Sequence, residues 1–286
     1  MDIQQDGAVT TNDQPEPLRL LAILAHPDDE SLGLGGILAK YAAEGVRTHV
    51  ITATRGERGW FGPPDENPGL DALGRIRERE LHDATRALGV GELTLLDYID
   101  GEVEQADQAL LVRRLAGHMR RIRPHVVVTF DHNGIYGHPD HIAVTQAATA
   151  ATVAACDATF AAEGEYAPYS VPKLYYFAWT QEVREAYERA FGELRMHIDG
   201  HDRTAVPWPH WTVSTWIDTA AYWQQVWDAI RCHRSQLPGY QKLLDLPEEY
   251  HRALWGRLSF HRVYSLVPTD GHEVDLFDGI RSGEEA

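Results

Sequence analysis

A chain of 286 residues with 43% hydrophobic and 24% charged side chains has the composition of an ordinary soluble globular protein. At that length it buries roughly three quarters of its unfolded surface and needs no disulfide staples. With 43 acidic against 26 basic residues the net charge is −17, which disfavours nucleic acid and anionic membrane surfaces as partners and keeps the protein soluble. Two cysteines, Cys156 and Cys232, lie too far apart for a metal pair and suit a reduced, cytoplasmic protein, and no apolar stretch approaches membrane-spanning length.

Residues 1–17 are polar and acidic, without the basic start and apolar run of a signal peptide, and read as a disordered tail ahead of a single domain over 18–286. LRLLAILA (18–25) is a nearly unbroken apolar run, as a parallel strand covered on both faces requires. A turn over 28–33 leads into helical spacing as far as Ala43. Then come a strand over 47–54, a Gly- and Pro-crowded loop, RGERGWFGPPDENPG, and a charged helix over 71–88 stopped by Gly89. A third strand is centred on Leu95, a helix spans 107–121, and PHVVVTF (124–130) is a fourth strand. An Ala-rich helix follows over 138–155 and a fifth strand over 173–179. Strands alternating with helices predict an α/β fold with a mostly parallel sheet flanked by helices. After Thr180 the pattern weakens into an extension rich in Trp and His, with one helix over 219–234 and a late strand over 261–267. Its aromatic residues, Trp208, Trp211 and Trp216 among them, suit packing more often than sugar stacking.

Two segments carry chemistry. His26-Pro27-Asp28-Asp29-Glu30 begins where the first buried strand ends, and ligands in open α/β sheets bind outside the carboxyl ends of the strands. Three carboxyl groups and an imidazole crowded there repel one another unless a cation is present; a solvated turn with a helix-capping carboxylate is the competing reading. Asp131 to His141 (DHNGIYGHPDH) likewise follows a buried strand. Pro139 fits a first helical turn, so His138 and His141, three apart, point to one side. Two His and one Asp match the three protein ligands of catalytic zinc, with one carboxylate left to act as base. Gly33, Gly35 and Gly36 lack the full dinucleotide fingerprint, and the acidic run before them would repel pyrophosphate. His49, His118, His210 and His251 suit the surface or a satisfied core, whereas His233 falls in a CHRSQ segment.

AHPDDESLGLGG, TRGERG, Arg77-x-x-Glu80, NGIYGHPDH, CHRSQ and the closing EVDLFDGI resemble the PIG-L/LmbE deacetylases, from about Leu18 to Ile280. The resemblance implies a Rossmann-like fold, Zn2+ as cofactor, and removal of acetyl from a small-molecule GlcNAc-type amino-sugar conjugate. Carried residue by residue, it implies His26, Asp29 and His141 as zinc ligands and Asp28 as general base. His138 would stabilise the oxyanion or donate a proton, with Asp140 orienting its ring. Tyr136 would polarise the substrate carbonyl, and Arg77 and Asp100 would contact the sugar. The chain departs from the family pattern at His132, where a proline is common, and at the short, Pro-rich segment after Gly59, which lies near the substrate in such folds. Ser31-Leu32-Gly33 also lacks the lysine of the mycothiol-conjugate amidases. The rival expectations are a zinc amidase acting on another small amide, such as a thiol conjugate, and a non-catalytic binding module. The oligomeric state, a homo-oligomer included, stays open.

Overall fold

The computed structural model describes residues 16–198, 200–269 and 271–281. The tail expected over 1–17 therefore lies, up to position 15, outside the described residues. Five strands follow in the order foreseen: β1 (Arg19–Leu24), β2 (Arg47–Thr54), β3 (Glu92–Tyr98), β4 (Val126–Thr129) and β5 (Lys173–Phe177). A hairpin of β6 (Arg195–Ile198) and β7 (His201–Thr204), then β8 (Thr215–Asp218) and β9 (Arg257–Ser265), complete the strands of the described residues.

Seven strands form one sheet in the order β3-β2-β1-β4-β5-β9-β8. The first five run parallel; β9 pairs antiparallel with both β5 and β8. Leu20 to Leu24 of β1 and Val126 to Val128 of β4 are buried, because helices cover both faces; this is why their sequences are apolar throughout rather than alternating. The chain runs outward from β1 to β2 and β3, then returns to β4 on the other side of β1. The loops after β1 and β4 therefore diverge at the point where the strand order reverses, and a crevice opens there.

The helices start and stop where local chemistry dictates. Asp107 caps Gln108–Ile122 by accepting a hydrogen bond from the Leu110 N–H at 3.0 Å, and Arg123 closes the helix in a left-handed conformation, φ 54°. His138 caps Pro139–Ala154, with the proline at the first helical position.

The C-terminal third, expected as an aromatic-rich extension with one late strand, contributes two strands to the sheet, β8 and β9. The late strand begins at Arg257, four residues before the expected start, because Leu258 and Phe260 alternate into the core beside Ile217 and Phe177. The helix expected over 219–234 is confined to Trp223–Ile230, preceded by a 3-10 turn. A helix at Gln181–Phe191 and the β6–β7 hairpin were not foreseen. The closing EVDLFDGI segment pins the far side of the sheet. The Glu273 carboxylate, 1% exposed, accepts from Lys173 Nζ (2.6 Å), Tyr175 Oη (2.7 Å) and Thr215 Oγ1 (2.7 Å), and Arg262 Nη1 lies 2.8 Å away.

The glycines after the first loop serve packing, not phosphate binding. A Cβ on Gly36 would stand 2.8 Å from Thr219 Cβ, and Thr219 is itself held by a bond from its hydroxyl to the Trp255 carbonyl. Gly36→Ala should therefore cost about 1–3 kcal/mol through overpacking, read as a lower urea midpoint at unchanged slope. A midpoint equal to that of the unsubstituted chain would show that the contact gives way freely.

Candidate metal and catalytic site

The crevice at the β1–β4 boundary is a cavity of about 280 Å³. His26 leaves the end of β1. Its backbone N–H donates to Asp29 Oδ2 at 2.7 Å, which folds the Asp29 carboxylate back toward the imidazole. His26 Nδ1 lies 3.2 Å from His141 Nε2 and 3.6 Å from Asp29 Oδ2, and His141 Nε2 lies 3.4 Å from Asp29 Oδ1. Ligands about 2.0–2.1 Å from a tetrahedral ion stand roughly 3.3 Å apart, so these three groups already have the spacing of a coordination face. The two imidazoles face different oxygens of Asp29, so a shared ion would be met either by both carboxylate oxygens or by one that shifts toward both. Donor atoms of His138 also come within 4.8 Å of those of His26 and His141, as do those of Asp100 and Asp140 with those of His26.

His26 is steered from behind. Its Nε2 lies 3.1 Å from both Asp140 Oδ2 and Asp100 Oδ1, which leaves Nδ1 as the nitrogen facing His141 and Asp29. Asp140, fully buried, also accepts from the Gly101 N–H (2.7 Å) and the Val103 N–H (3.1 Å). This corrects the expectation that Asp140 orients His138: its carboxylate orients His26. What His138 receives is the Asp140 backbone N–H, donated to its Nδ1 at 3.2 Å, so a proton on neutral His138 resides on Nε2. Asp100, expected to touch sugar, lines the cavity but divides its carboxylate between His26 and the Arg58 N–H at 3.1 Å.

Asp28 stands beside these groups with a separate set of partners. Its φ of 108° is a left-handed conformation for a residue with a side chain and sends its carboxylate away from that of Asp29. Asp28 Oδ2 accepts from Tyr240 Oη (2.6 Å) and from Arg77 Nη2 (3.1 Å). Arg77, expected to bind sugar, is 3% exposed at the cavity wall. Its guanidinium holds the Gly56 carbonyl at 2.8 Å, the Pro27 carbonyl and Asp28, so it positions the Asp28 segment. Gly56 is glycine because a Cβ there would lie 2.3 Å from Arg77 Nη1.

A second left-handed residue, Ile135 (φ 66°), lies on the other side. Its N–H donates to Asp131 Oδ1 at 2.8 Å, and the turn sets Tyr136 on the cavity wall. A β-branched residue in that region is a backbone outlier of the kind that clusters at functional sites. His132, which stands where the family pattern has a proline, packs edge-on against Trp208, whose indole N–H donates to Asp131 at 2.7 Å. Trp208 thus braces the loop; Trp216 packs against His210 and Arg257.

The electrostatics fit a cation. Burial lowers His26, but hydrogen bonds to Asp100 and Asp140 and the Asp29 charge outweigh it, and the imidazole is pushed up to about 10. Burial lifts the Asp29 carboxyl to about 7. Burial, with the charge of His26, holds His138 down to about 4 and His141 well below the usual range. A neutral imidazole, a carboxylate poorly stabilised as an anion and a second imidazole backed by two carboxylates form a donor set that a divalent ion satisfies, and the outward Asp140–His26 bond is the usual outer support of a metal-bound histidine.

Several pairings at the site had no signal in the sequence. Glu30 and His233 form a fully buried pair at 2.8 Å, and Glu30 Oε2 also accepts the Asp28 N–H at 2.9 Å. Glu80 accepts from the Ser235 N–H and hydroxyl at 2.8 and 2.7 Å, and Gln236 Nε2 donates to the Gly59 carbonyl at 2.9 Å. The CHRSQ segment thus clamps the first loop. Its spacing marked it as part of the resemblance, but its partners lie too far away in sequence to be paired by inspection.

Residues 21–152 match the family model described as GlcNAc-PI de-N-acetylase, PIG-L. The chain is 34% identical, over 92% of its own length and 98% of the relative's, to a 1D-myo-inositol 2-acetamido-2-deoxy-alpha-D-glucopyranoside deacetylase of Rhodococcus jostii. It belongs to the PIG-L family. Another relative of this PIG-L chain is the mycothiol S-conjugate amidase of Streptomyces coelicolor, 30% identical over 93% of this chain and 98% of that one. Among solved structures, the conserved protein TT1542 of Thermus thermophilus superposes on the PIG-L chain with a TM-score of 0.62 at 27% identity, covering 88% and 97% of the two chains. Among the described residues, no helix is long and apolar enough to cross a membrane.

Proposed function

We propose that this chain is a zinc-dependent hydrolase that removes the acetyl group from an N-acetylated amino-sugar conjugate. The observation that carries the reading is the meeting, at one end of one cavity, of the His26–Asp29–His141 face with the separately held Asp28 carboxylate. His26 Nδ1, Asp29 and His141 Nε2 would hold the zinc. When bound, it supplies Lewis-acid polarisation of an amide carbonyl and makes a water molecule more acidic.

The chain's own groups supply the rest. Asp28, fixed through Oδ2 by Tyr240 and Arg77, presents its other oxygen to take the proton of the attacking water, then hands it to the leaving nitrogen. His138 carries its proton on Nε2 and is neutral, so it can donate a hydrogen bond to the oxyanion as charge develops. Tyr136, whose phenol is held protonated by burial and by the Asp29 and Asp28 charges, is a second donor on the same wall. The products are acetate and a free amino sugar. The substrate is a small molecule, and the two free cysteines suit a cytoplasmic enzyme.

The test is acetate release from a panel of GlcNAc conjugates by purified protein, with metal analysis alongside. About one zinc per chain is expected, with activity removed by a chelator and restored by zinc. Acetate release indifferent to chelation would sink the metal assignment. Cleavage of a thiol conjugate without acetate release from any GlcNAc conjugate would replace this reading with the amidase one.

A further inference from the structure

Away from the metal-binding side chains, part of the cavity wall is apolar. It is built by Leu32, Trp179, Tyr187, Phe191 and Leu194, with Phe61 at the rim, 54% exposed. Trp179 and Tyr187 are stacked with ring centroids 4.2 Å apart, Tyr187 and Phe191 stack at 5.7 Å, and Phe191 meets Tyr240 edge-on at 5.6 Å. The hydroxyl tips of the two tyrosines are turned to the protein. Tyr187 Oη donates to the Leu32 carbonyl, and Tyr240 Oη donates to Asp28. On the polar side, the Gln236 amide is given to Gly59 and Ser235, and the Arg77 amino groups to Gly56, Pro27 and Asp28.

The geometry points to a substrate whose aglycone is apolar, an aryl or alkyl group on the amino sugar, rather than a polyol. This rests on the N-deacetylase reading for the chemistry, though not for the binding. The amino sugar's acetamide must reach the His26–Asp29–His141 face, so the group attached to the sugar meets the aromatic wall. A cyclohexane polyol laid there would surrender the water bound to its hydroxyls without matching partners, and an unpaired buried hydroxyl is costly. Trp179 Nε1, buried without a partner, can serve one acceptor, not the several that such a ring presents. An aryl ring instead finds ring faces and edges at ordinary packing distance. Trp179, Tyr187, Phe191 and Leu194 of the wall lie on the C-terminal side of the PIG-L match at residues 21–152, while Leu32 and Phe61 fall inside it. Most of the ring surface that an aglycone would meet is thus supplied from outside the metal loops.

Two measurements test this. Calorimetric binding to the metal-free chain compares the benzyl glycoside of GlcNAc with its myo-inositol glycoside; the benzyl compound should bind about 10-fold tighter or more, the scale on which apolar pockets discriminate. Leu194→Asn, in the wall and outside the catalytic groups, should shrink that ratio by about 3-fold or more while leaving the inositol glycoside's affinity unchanged. Equal or stronger binding of the inositol glycoside, or a ratio untouched by Leu194→Asn, overturns the inference. Acetate release from the zinc-loaded chain is scored separately. The benzyl preference without acetate release would overturn the deacetylase reading and leave the aglycone preference standing.

Discussion

Asp28→Asn should lower turnover by about 10²-fold or more while zinc content and substrate affinity stay near those of the unsubstituted chain. The asparagine carbonyl can still accept from Tyr240 and Arg77, so the loop keeps its shape, but the amide cannot take a proton from water. Asp29→Asn should do the reverse. It weakens the face shared with His26 and His141, so zinc content falls and added zinc partly restores the rate. The two residues are adjacent in sequence and identical in side chain. What separates them is the left-handed backbone at Asp28, which aims one carboxylate at Arg77 and Tyr240 and leaves the other folded onto His26. Zinc content and kcat for the two variants decide the matter. Loss of zinc from Asp28→Asn, or near-normal turnover, would show that the roles are assigned to the wrong aspartates.

Glu273→Ala should destabilise the fold by about 3–5 kcal/mol, the cost of stripping one partner from a buried ion pair. Lys173, which no solvent reaches, keeps only the Asp278 carbonyl at 2.7 Å, and the hydroxyls of Tyr175 and Thr215 lose their acceptor. The pairing also has a pH signature. Burial raises the Glu273 value, but hydrogen bonds from Lys173, Thr215 and Tyr175 outweigh it and hold it below the ordinary 4.5. Its contribution is thus complete above the unfolded value and is lost as acid takes the pH down through the folded one. Urea unfolding of Glu273→Ala and of the double variant Lys173→Met with Glu273→Leu checks both points. The double variant should regain part of the loss, because the buried Lys173 charge goes with its partner, while Arg262 and the Tyr175 and Thr215 hydroxyls still lack the Glu273 acceptor. A single variant as stable as the unsubstituted chain would show that water reaches Lys173.

The parallel half of the fold was legible because its signals are local. A strand buried on both faces is largely apolar, as Leu20 to Leu24 of β1 and Val126 to Val128 of β4 are. The two polar segments that follow β1 and β4 had to meet, since the strand order reverses between them. The antiparallel half was not legible in the same way. β8 has four residues and takes its partners from β9 and from Glu273, so its own sequence carries little periodicity. Within the site, residue types were readable but contacts were not. Asp140 sits two places from His138 and was paired with it, whereas the helix that starts at Pro139 turns the carboxylate inward to His26, 114 residues earlier. Tyr240, the group that completes the hold on Asp28, ends the four-residue 3-10 helix Leu237–Tyr240, too short to show a periodic pattern.

That hold has a consequence for the order of events during synthesis. The Asp28 carboxylate waits for a phenol 212 residues later, and Glu30 waits for an imidazole 203 residues later. The first βα units pair with near neighbours and can condense as they leave the ribosome, while the acidic loop between them stays open for most of translation. Chain entropy opposes closing so long a span until the intervening strands have shortened it. The loop that confers reactivity is thus among the first segments made and among the last to be locked.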